Sequence, residues 1–393
     1  MVGAEAATFV VAAVASLFMA WAIGAGSSGS TPFAPAVGAN AITVMRAGFV
    51  VGILGLAGAV FQGANVSEAV GSDLIVGMPL SPLAATIALL TAALLVAAGV
   101  FAGYPIATAF TVTGAVVGTG LAMGGGPAWP KYQQIATLWV LTPFVGGGTA
   151  YVTARSLRDT AHERVLVPAL AGGVGAITAN IEFAFLGGPD AARSIAWSLA
   201  SVAGTPSLVG RGAATLAVAA AVAGALYCDS AGNASRGQRH FLLALGGLVA
   251  FSAGGSQVGL AVGPLLPLIG GEIPLPYVLS GGGVGLLVGS WTGAPRMIKA
   301  LSQDYSSLGP RRSIAALIPS FAIAQSAVFF GIPVSFNEII VSAIIGSGYA
   351  AAGGGGGGVS GRKMVVTVLA WVASLVVAFA ASYGVFAAVS AVM

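Results

Sequence analysis

The chain has 393 residues, of which 57% are hydrophobic and 7% charged, and its net charge is +4. Soluble domains carry roughly 25% charged residues, and here the mean hydropathy is +0.97. A soluble globular enzyme is therefore excluded, and an all-α polytopic membrane protein is expected. At about 20 apolar residues per crossing, the chain holds about 10–12 spanning or half-spanning elements.

The N-terminal run "MVGAEAATFVVAAVASLFMAWAIGAG" has no Lys or Arg before its apolar part, so it reads as the first membrane helix rather than a secretory signal. The uncharged, helix-breaking stretch "AGSSGSTPFAPAVGANA" (25–41) follows. Arg46 comes next, placed to balance an anion or to pair with Glu68, and Glu68 and Asp73 flank a loop. "GYPIATAFTVTGAVVGTG" (103–120) begins with Gly-x-Pro and ends in Gly-x-Gly. Arg155, Arg158, His162 and Arg164 form a basic loop, and Glu182 in "ANIEFAFL" reads as interfacial. "CDSAGNASRGQRH" (228–240) contains the one cysteine, Cys228, together with Arg236, Arg239 and His240. "FSAGGSQVGLAVGPLL" (251–266) is a second small, polar interruption of an apolar run. The basic segment "PRMIKALSQDYSSLGPRR" (295–312) leads to "GIPVSFNEIIVSAIIGSG" (331–348). "GGGGGG" (353–358) reads as a flexible connection before Arg362 and Lys363.

A single cysteine allows no disulfide framework, and both histidines lie in basic loops rather than in a ligand cluster. Neither a nucleotide loop nor a catalytic triad is present, so no enzyme and no cofactor is expected. The positive charges sit in short loops, a membrane-topology signal rather than a nucleic-acid footprint. Segments 228–240 and 295–312 are thus expected in the cytoplasm, and Asp190 and Glu272 outside. Much of the glycine, 60 residues, serves close helix packing. The six Trp read as interface anchors or packing groups.

Two unlike motifs recur at nearly one spacing. The Gly-x-Pro stretches 103–120 and 331–348 are offset by 228 residues, and "AGSSGSTPFA" and "GGSQVGLAVG" by 229. Paired, interrupted apolar segments in two halves point to a transporter's substrate site. Broken backbone at membrane depth is tolerated where protein or a water-filled cavity satisfies it. A helix that restarts after a break aims free N–H groups and partial positive charge into the interior, a ready anion site.

The chain resembles the inorganic phosphate transporter (PiT) family, ion-coupled oxyanion symporters whose wider superfamily includes sulfate permeases. That family carries Gly-Ala-Asn-Asp-Val-Ala-Asn in its first repeat and Gly-Ser-Asn-Asp ending in Gly-Pro-Leu in its second. Here "GSSGSTPFAPAVGANAIT" (26–43) and "FSAGGSQVGLAVGPLL" (251–266) stand in those frames. The family's Gly-Leu-Pro-Val-Ser-Thr-Thr-His hairpins read "GYPIATAF" and "GIPVSFNE", and "GAPRMIKALSQDYSSLGPRRSIAALI" is similar to the family's loop. The resemblance spans nearly the whole chain. It implies inverted repeats with broken helices, two re-entrant hairpins, a cell-membrane location and a homodimer surrounded by lipid. The expected division is 1–160 for the first repeat, 161–240 for intervening helices and loop, and 241–393 for the second.

The departures shape the functional expectation. Both motif aspartates are absent: Ser27 and Ser28 stand at the first Asn-Asp, Ser256 and Gln257 at the second. Thr31 is the third polar position of the first motif, with Leu260 its counterpart. Ser-Thr-Thr-His becomes Ala107, Thr108, Ala109 and Phe110 in one hairpin, and Ser335, Phe336, Asn337 and Glu338 in the other. An ionised carboxylate only accepts hydrogen bonds, which suits a protonated phosphate. Sulfate carries no proton and wants donors, and a site built for one oxyanion rejects the other. The expectation is a neutral donor cage for sulfate or a similar tetrahedral oxyanion, with an inorganic phosphate symporter, an anion channel and a non-transporting binder as alternatives. Its residues are Ser27, Ser28, Gly29, Ser30, Thr31, Thr108, Gly255, Ser256, Gln257, Ser335 and Asn337, and Glu338 is the coupling candidate for H+ or Na+.

Overall fold

A computed structural model describes residues 2–158, 160–187, 192–303, 305, 307–350, 359 and 361–392, with backbone only for 2–7 and 160–162. Asp190, the His162 side chain and the glycine run 353–358 lie outside the described residues. The elements run α1 (Val2–Ile23), a π-turn (Gly24–Ser28), α2 (Ala34–Gly38), α3 (Val44–Gln62), α4 (Ala64–Ser72), β1 (Ile75–Val76), α5 (Pro82–Ala102), α6 (Thr108–Ala122), β2 (Gly126–Pro127) and α7 (Trp129–Ser156). Then come α8 (Thr160–Asn180), β3 (Glu182–Phe183), α9 (Ala184–Gly187), β4 (Arg193–Ser194), α10 (Ile195–Val202) and α11 (Leu208–Gly232). The second half has α12 (Ala234–Val262), a 3-10 turn (Gly263–Leu265), α13 (Leu266–Ile269), α14 (Leu275–Thr292), α15 (Ala294–Gln303), α16 (Pro310–Phe329), α17 (Phe336–Tyr349) and α18 (Gly361–Ser390). Among the described residues, 8 helices are long and apolar enough to cross a membrane, and Thr108–Ala122 is a shorter apolar helix. The protein is a multi-pass membrane protein.

Local sequence sets the hairpins. Pro82 opens α5 behind Ser81, whose side chain accepts from the Ala84 N–H, and Gly103 closes it in the left-handed region at φ 75°. Gly331 turns the second hairpin at φ 59°. The chain then re-enters as α6 and α17, whose N-caps Ala107 and Ser335 make no side-chain capping bond.

The two halves exchange partners. Hairpin helix α6 packs along α18 and α17 along α7, while α1 packs on α14 and α12 on α3. Helix direction is inverted between the halves. One end of the bundle is joined by Ser313 Oγ donating to Pro35 O, Arg239 Nε to Ala41 O, Arg158 to Ala350 O and Arg311 to Glu163. The other is joined by the strand pairs β1–β2 and β3–β4, the Lys131–Asp73 ion pair and Tyr132 OH on Leu74 O. Of the chain's 15 Lys and Arg, all except Lys131, Arg193 and Arg211 lie toward the first end. Cationic loops mark the cytoplasmic face, so segments 228–240 and 295–312 share that face, and Glu272, between α13 and α14, lies opposite.

The two interruptions differ. The first unwinds as expected, through the π-turn Gly24–Ser28 and the irregular residues up to α2. The second does not unwind at Ser256 and Gln257: α12 runs to Val262, and the break comes at Gly263–Pro264. Pro264 supplies the break, because proline lacks the N–H that a helix needs. The glycines before it serve packing instead. A Cβ on Gly254 would lie 1.9 Å from Gly55 O on α3.

Candidate functional site

The hairpin tips are held by reciprocal tryptophans. Trp371 Nε1 on α18 donates to Pro105 O at 2.8 Å, and Trp139 Nε1 on α7 donates to Pro333 O at 2.9 Å. Each long helix thus fastens the tip of the other half's hairpin. The sequence reads both Trp as interface anchors or packing groups. Their donor role was missed because they lie outside the repeated motifs, and Trp carries one N–H that seeks a partner when buried.

Below the tips a polar cluster is assembled from four elements. Gln257 on α12 is its hub: Nε2 donates to Val334 O at 2.6 Å, and Oε1 accepts from Thr108 Oγ1 at 2.7 Å and Ser27 Oγ at 3.2 Å. Thr108 Oγ1 also lies 3.4 Å from Ser27 Oγ. Asn337 Nδ2, in the first turn of α17, donates to Gly26 O at 2.9 Å and Ile106 O at 2.7 Å. Ser27, Thr108 and Gln257 are fully buried and Asn337 is 1% exposed. The structure therefore brings together Ser27, Thr108, Gln257 and Asn337, from both interruptions and both hairpins.

The remaining residues divide into two groups. Ser30 and Thr31 turn inward on their own segment and donate to Ser27 O at 3.2 and 3.0 Å, so they close the π-turn. Gly29 and Gly255 are packing positions: a Cβ on Gly29 would meet Gly24 O at 2.0 Å, and one on Gly255 would meet the Gln62 Cβ at 2.8 Å. By contrast, Ser28 Oγ, Ser256 Oγ, Ser335 Oγ, Asn337 Oδ1 and Glu338 Oε2 are buried with no hydrogen-bond partner. Buried polar groups are normally paired, so a concentration of orphans marks a place where something else supplies the partners. Three of them, on Ser335, Asn337 and Glu338, belong to the N-cap and first turn of α17, whose free N–H groups attract negative charge.

This corrects the donor-only cage. The hydroxyls of Ser27, Ser30, Thr31 and Thr108 donate to protein acceptors, and Gln257 Nε2 donates one of its two N–H groups to Val334 O. What is left open is hydroxyls, which donate and accept, the second N–H of Gln257, and two oxygens, Asn337 Oδ1 and Glu338 Oε2. An amide oxygen and an ionised carboxylate oxygen can only accept. Glu338 is 2% exposed, and no hydrogen bond joins it to the cluster.

The other polar expectations resolve simply. Arg46 is exposed at the start of α3 and Glu68 lies beyond that helix's far end, so the two do not pair. Asp73 pairs instead with Lys131 at 3.3 Å. Exposed Glu182 lies in β3. Among the described residues, no three His, Cys, Asp or Glu side chains could hold a metal ion.

An inverted-repeat helical bundle that closes two hairpin tips over a buried polar cluster is the architecture of a secondary transporter. The model of the phosphate transporter family matches residues 23–382, and the chain belongs to that family. A protein of Pyrococcus horikoshii named as a phosphate permease is 26% identical over 350 residues, covering 84% of this chain and 86% of its own. The chloroplastic inorganic phosphate transporter 2-1 of Arabidopsis thaliana is 25% identical over 393 residues, covering 85% of this chain and 64% of that one. A solved structure described as the sodium-dependent phosphate transporter shares the fold, with a TM-score of 0.80, 20% identity and coverage of 98% of this chain and 100% of that one. The protein is a transporter, not an enzyme.

Proposed function

We propose that the protein is a symporter of inorganic phosphate that works by alternating access, with Ser27, Ser28, Thr108, Ser256, Gln257, Ser335 and Asn337 around the anion. The observation that carries this reading is the unpartnered Asn337 Oδ1 in the first turn of α17, whose N-cap Ser335 hydroxyl is also unpartnered. Hydrogen phosphate offers both acceptor oxygens and one O–H; sulfate offers no proton. The hydroxyls and the free N–H groups of α6 and α17 meet the acceptor oxygens, and Asn337 Oδ1 takes the O–H. The amide oxygen thereby does the accepting that the absent aspartates would have done. The relatives named for phosphate support the same substrate over sulfate.

Glu338 is the coupling group of this proposal. It is the one carboxylate in the hairpin stretches, and an intramembrane ionisable residue is a functional candidate by default. Its carboxylate accepts Na+ or H+ without competing for the anion's donors.

Equilibrium binding of labelled phosphate to the purified protein tests the substrate. Displacement by unlabelled phosphate but not by equal sulfate is expected. Saturable binding of labelled sulfate that phosphate does not displace, with no saturable binding of labelled phosphate, would restore the donor-cage reading.

A further inference from the structure

The end of the bundle that carries Glu182 has an open cavity of about 530 Å³, lined by Gln62, Asn65, Asn180, Thr215, Gln325 and Phe330 among others. Its floor is a carboxamide pair. Gln62 is the last residue of α3, in the first half, and Gln325 lies on α16, in the second. Gln325 Nε2 donates to Gln62 Oε1 at 3.2 Å, and Gln62 Nε2 donates back to Gln325 Oε1 at 3.4 Å. Gln62 also donates to Glu182 O at 3.3 Å, and Gln325 to Ser252 Oγ. The two side chains are 8% and 7% exposed.

The pair packs on α12, the helix that also carries Ser256 and Gln257 of the candidate site. Ser252 lies one helical turn before Ser256 on α12, and the stem of Gln62 rests on Gly255, next to Ser256. The two amides thus line the open cavity on one side and pack on the other against the α12 stretch that leads to Ser256. Two leucines would seal the same gap without the cost of burying amides. One of the two mutual bonds, at 3.4 Å, is longer than an ordinary N–H···O contact. A dehydrating oxyanion needs N–H donors in place of water, and two carboxamides supply four.

We propose that Gln62 and Gln325 form the gate on the Glu182 end, and that their carboxamides pass an oxyanion between the open cavity and the buried cluster. The gate spans the two halves, so a movement of one half against the other parts the amides. The proposal rests on the oxyanion-transport reading for what passes, but not for what closes.

The test uses side-specific thiol labelling in a Cys228→Ser background, which removes the single, exposed cysteine. Ser256→Cys is exposed to a membrane-impermeant methanethiosulfonate added from outside intact cells. Slow labelling is expected with both glutamines present. With Gln62→Ala and Gln325→Ala together, labelling rises about tenfold, the loss expected for two interhelical hydrogen bonds in a membrane. As an arm independent of the alanine pair's folding, Gln62→Cys/Gln325→Cys is bridged with a short bis-methanethiosulfonate. Bridging stops phosphate uptake, and a reductant restores it. Equal labelling with and without the glutamines, or a bridged carrier that transports at the unbridged rate, overturns the gate. A wild-type protein that moves no phosphate would sink the transport reading instead, and the labelling arm, which needs no substrate, still decides the gate.

Discussion

Replacing Gln257 by leucine keeps nearly the volume of the side chain and removes three hydrogen bonds at once. The Val334 carbonyl loses its 2.6 Å donor and stays buried. An orphaned buried acceptor costs about 1–3 kcal/mol. The hydroxyls of Ser27 and Thr108 also lose their shared acceptor, but they lie 3.4 Å apart and re-pair. Their loss is therefore closer to the membrane average for an interhelical hydrogen bond, about 0.6 kcal/mol each. The sum is about 2–4 kcal/mol, all of it drawn from the closed arrangement that joins α12, the π-turn and both hairpins. At 1.4 kcal/mol per decade, phosphate binding weakens about 30- to 700-fold. The assay is equilibrium binding of labelled phosphate, with circular dichroism to show that the helices persist. Ser27→Ala removes the 3.2 Å bond to Gln257 and the 3.4 Å contact with Thr108, whose hydroxyl keeps its 2.7 Å bond to Gln257, and is expected to weaken binding about threefold. A folded Gln257→Leu protein with phosphate affinity within about threefold of wild type would refute the hub role of Gln257.

Other perturbations separate latch, coupling and packing. Trp371→Phe should speed amide exchange at residues 106–107 and Trp139→Phe at 334–335, each by freeing one tip carbonyl; exchange that changes at the same tip in both variants would contradict the exchanged latches. Glu338→Gln keeps the shape of a buried side chain and removes its charge. It should retain phosphate exchange between equal pools while losing ion-driven accumulation, and undiminished accumulation would remove Glu338 from coupling. Gly254→Leu forces α12 off Gly55 O, which a Cβ would already approach to 1.9 Å. It should lower thermal stability in detergent by the cost of overpacking, about 1–3 kcal/mol, whereas Gly281→Ala, with no heavy atom within 4 Å of the added Cβ, should not.

The helical bundle, its duplication and its charged face were legible in the sequence, because composition, motif spacing and loop charge act over many residues. The partners of single atoms were not. Ser30 and Thr31 stand in a polar run beside Ser27, yet a π-turn directs their hydroxyls back to Ser27 O. Glycine-rich "SAGGSQVG" reads as an interruption, but its glycines are where α12 meets α3 and α4, and the helix continues to Val262. Asn337 was placed in the site by its frame. Which of its two polar atoms stays open depends on the carbonyls of Gly26 and Ile106, far away in sequence. Gln62 and Gln325 carry no motif, and only the fold brings them within hydrogen-bonding distance.

The most direct measurement is uptake of labelled phosphate into proteoliposomes of the purified protein, under an inward Na+ gradient and then an inward H+ gradient, with and without excess sulfate. The account predicts saturable, gradient-driven phosphate accumulation that sulfate leaves intact and that Asn337→Leu abolishes. Accumulation of labelled sulfate that phosphate fails to suppress, or phosphate accumulation unaltered in Asn337→Leu, would contradict it.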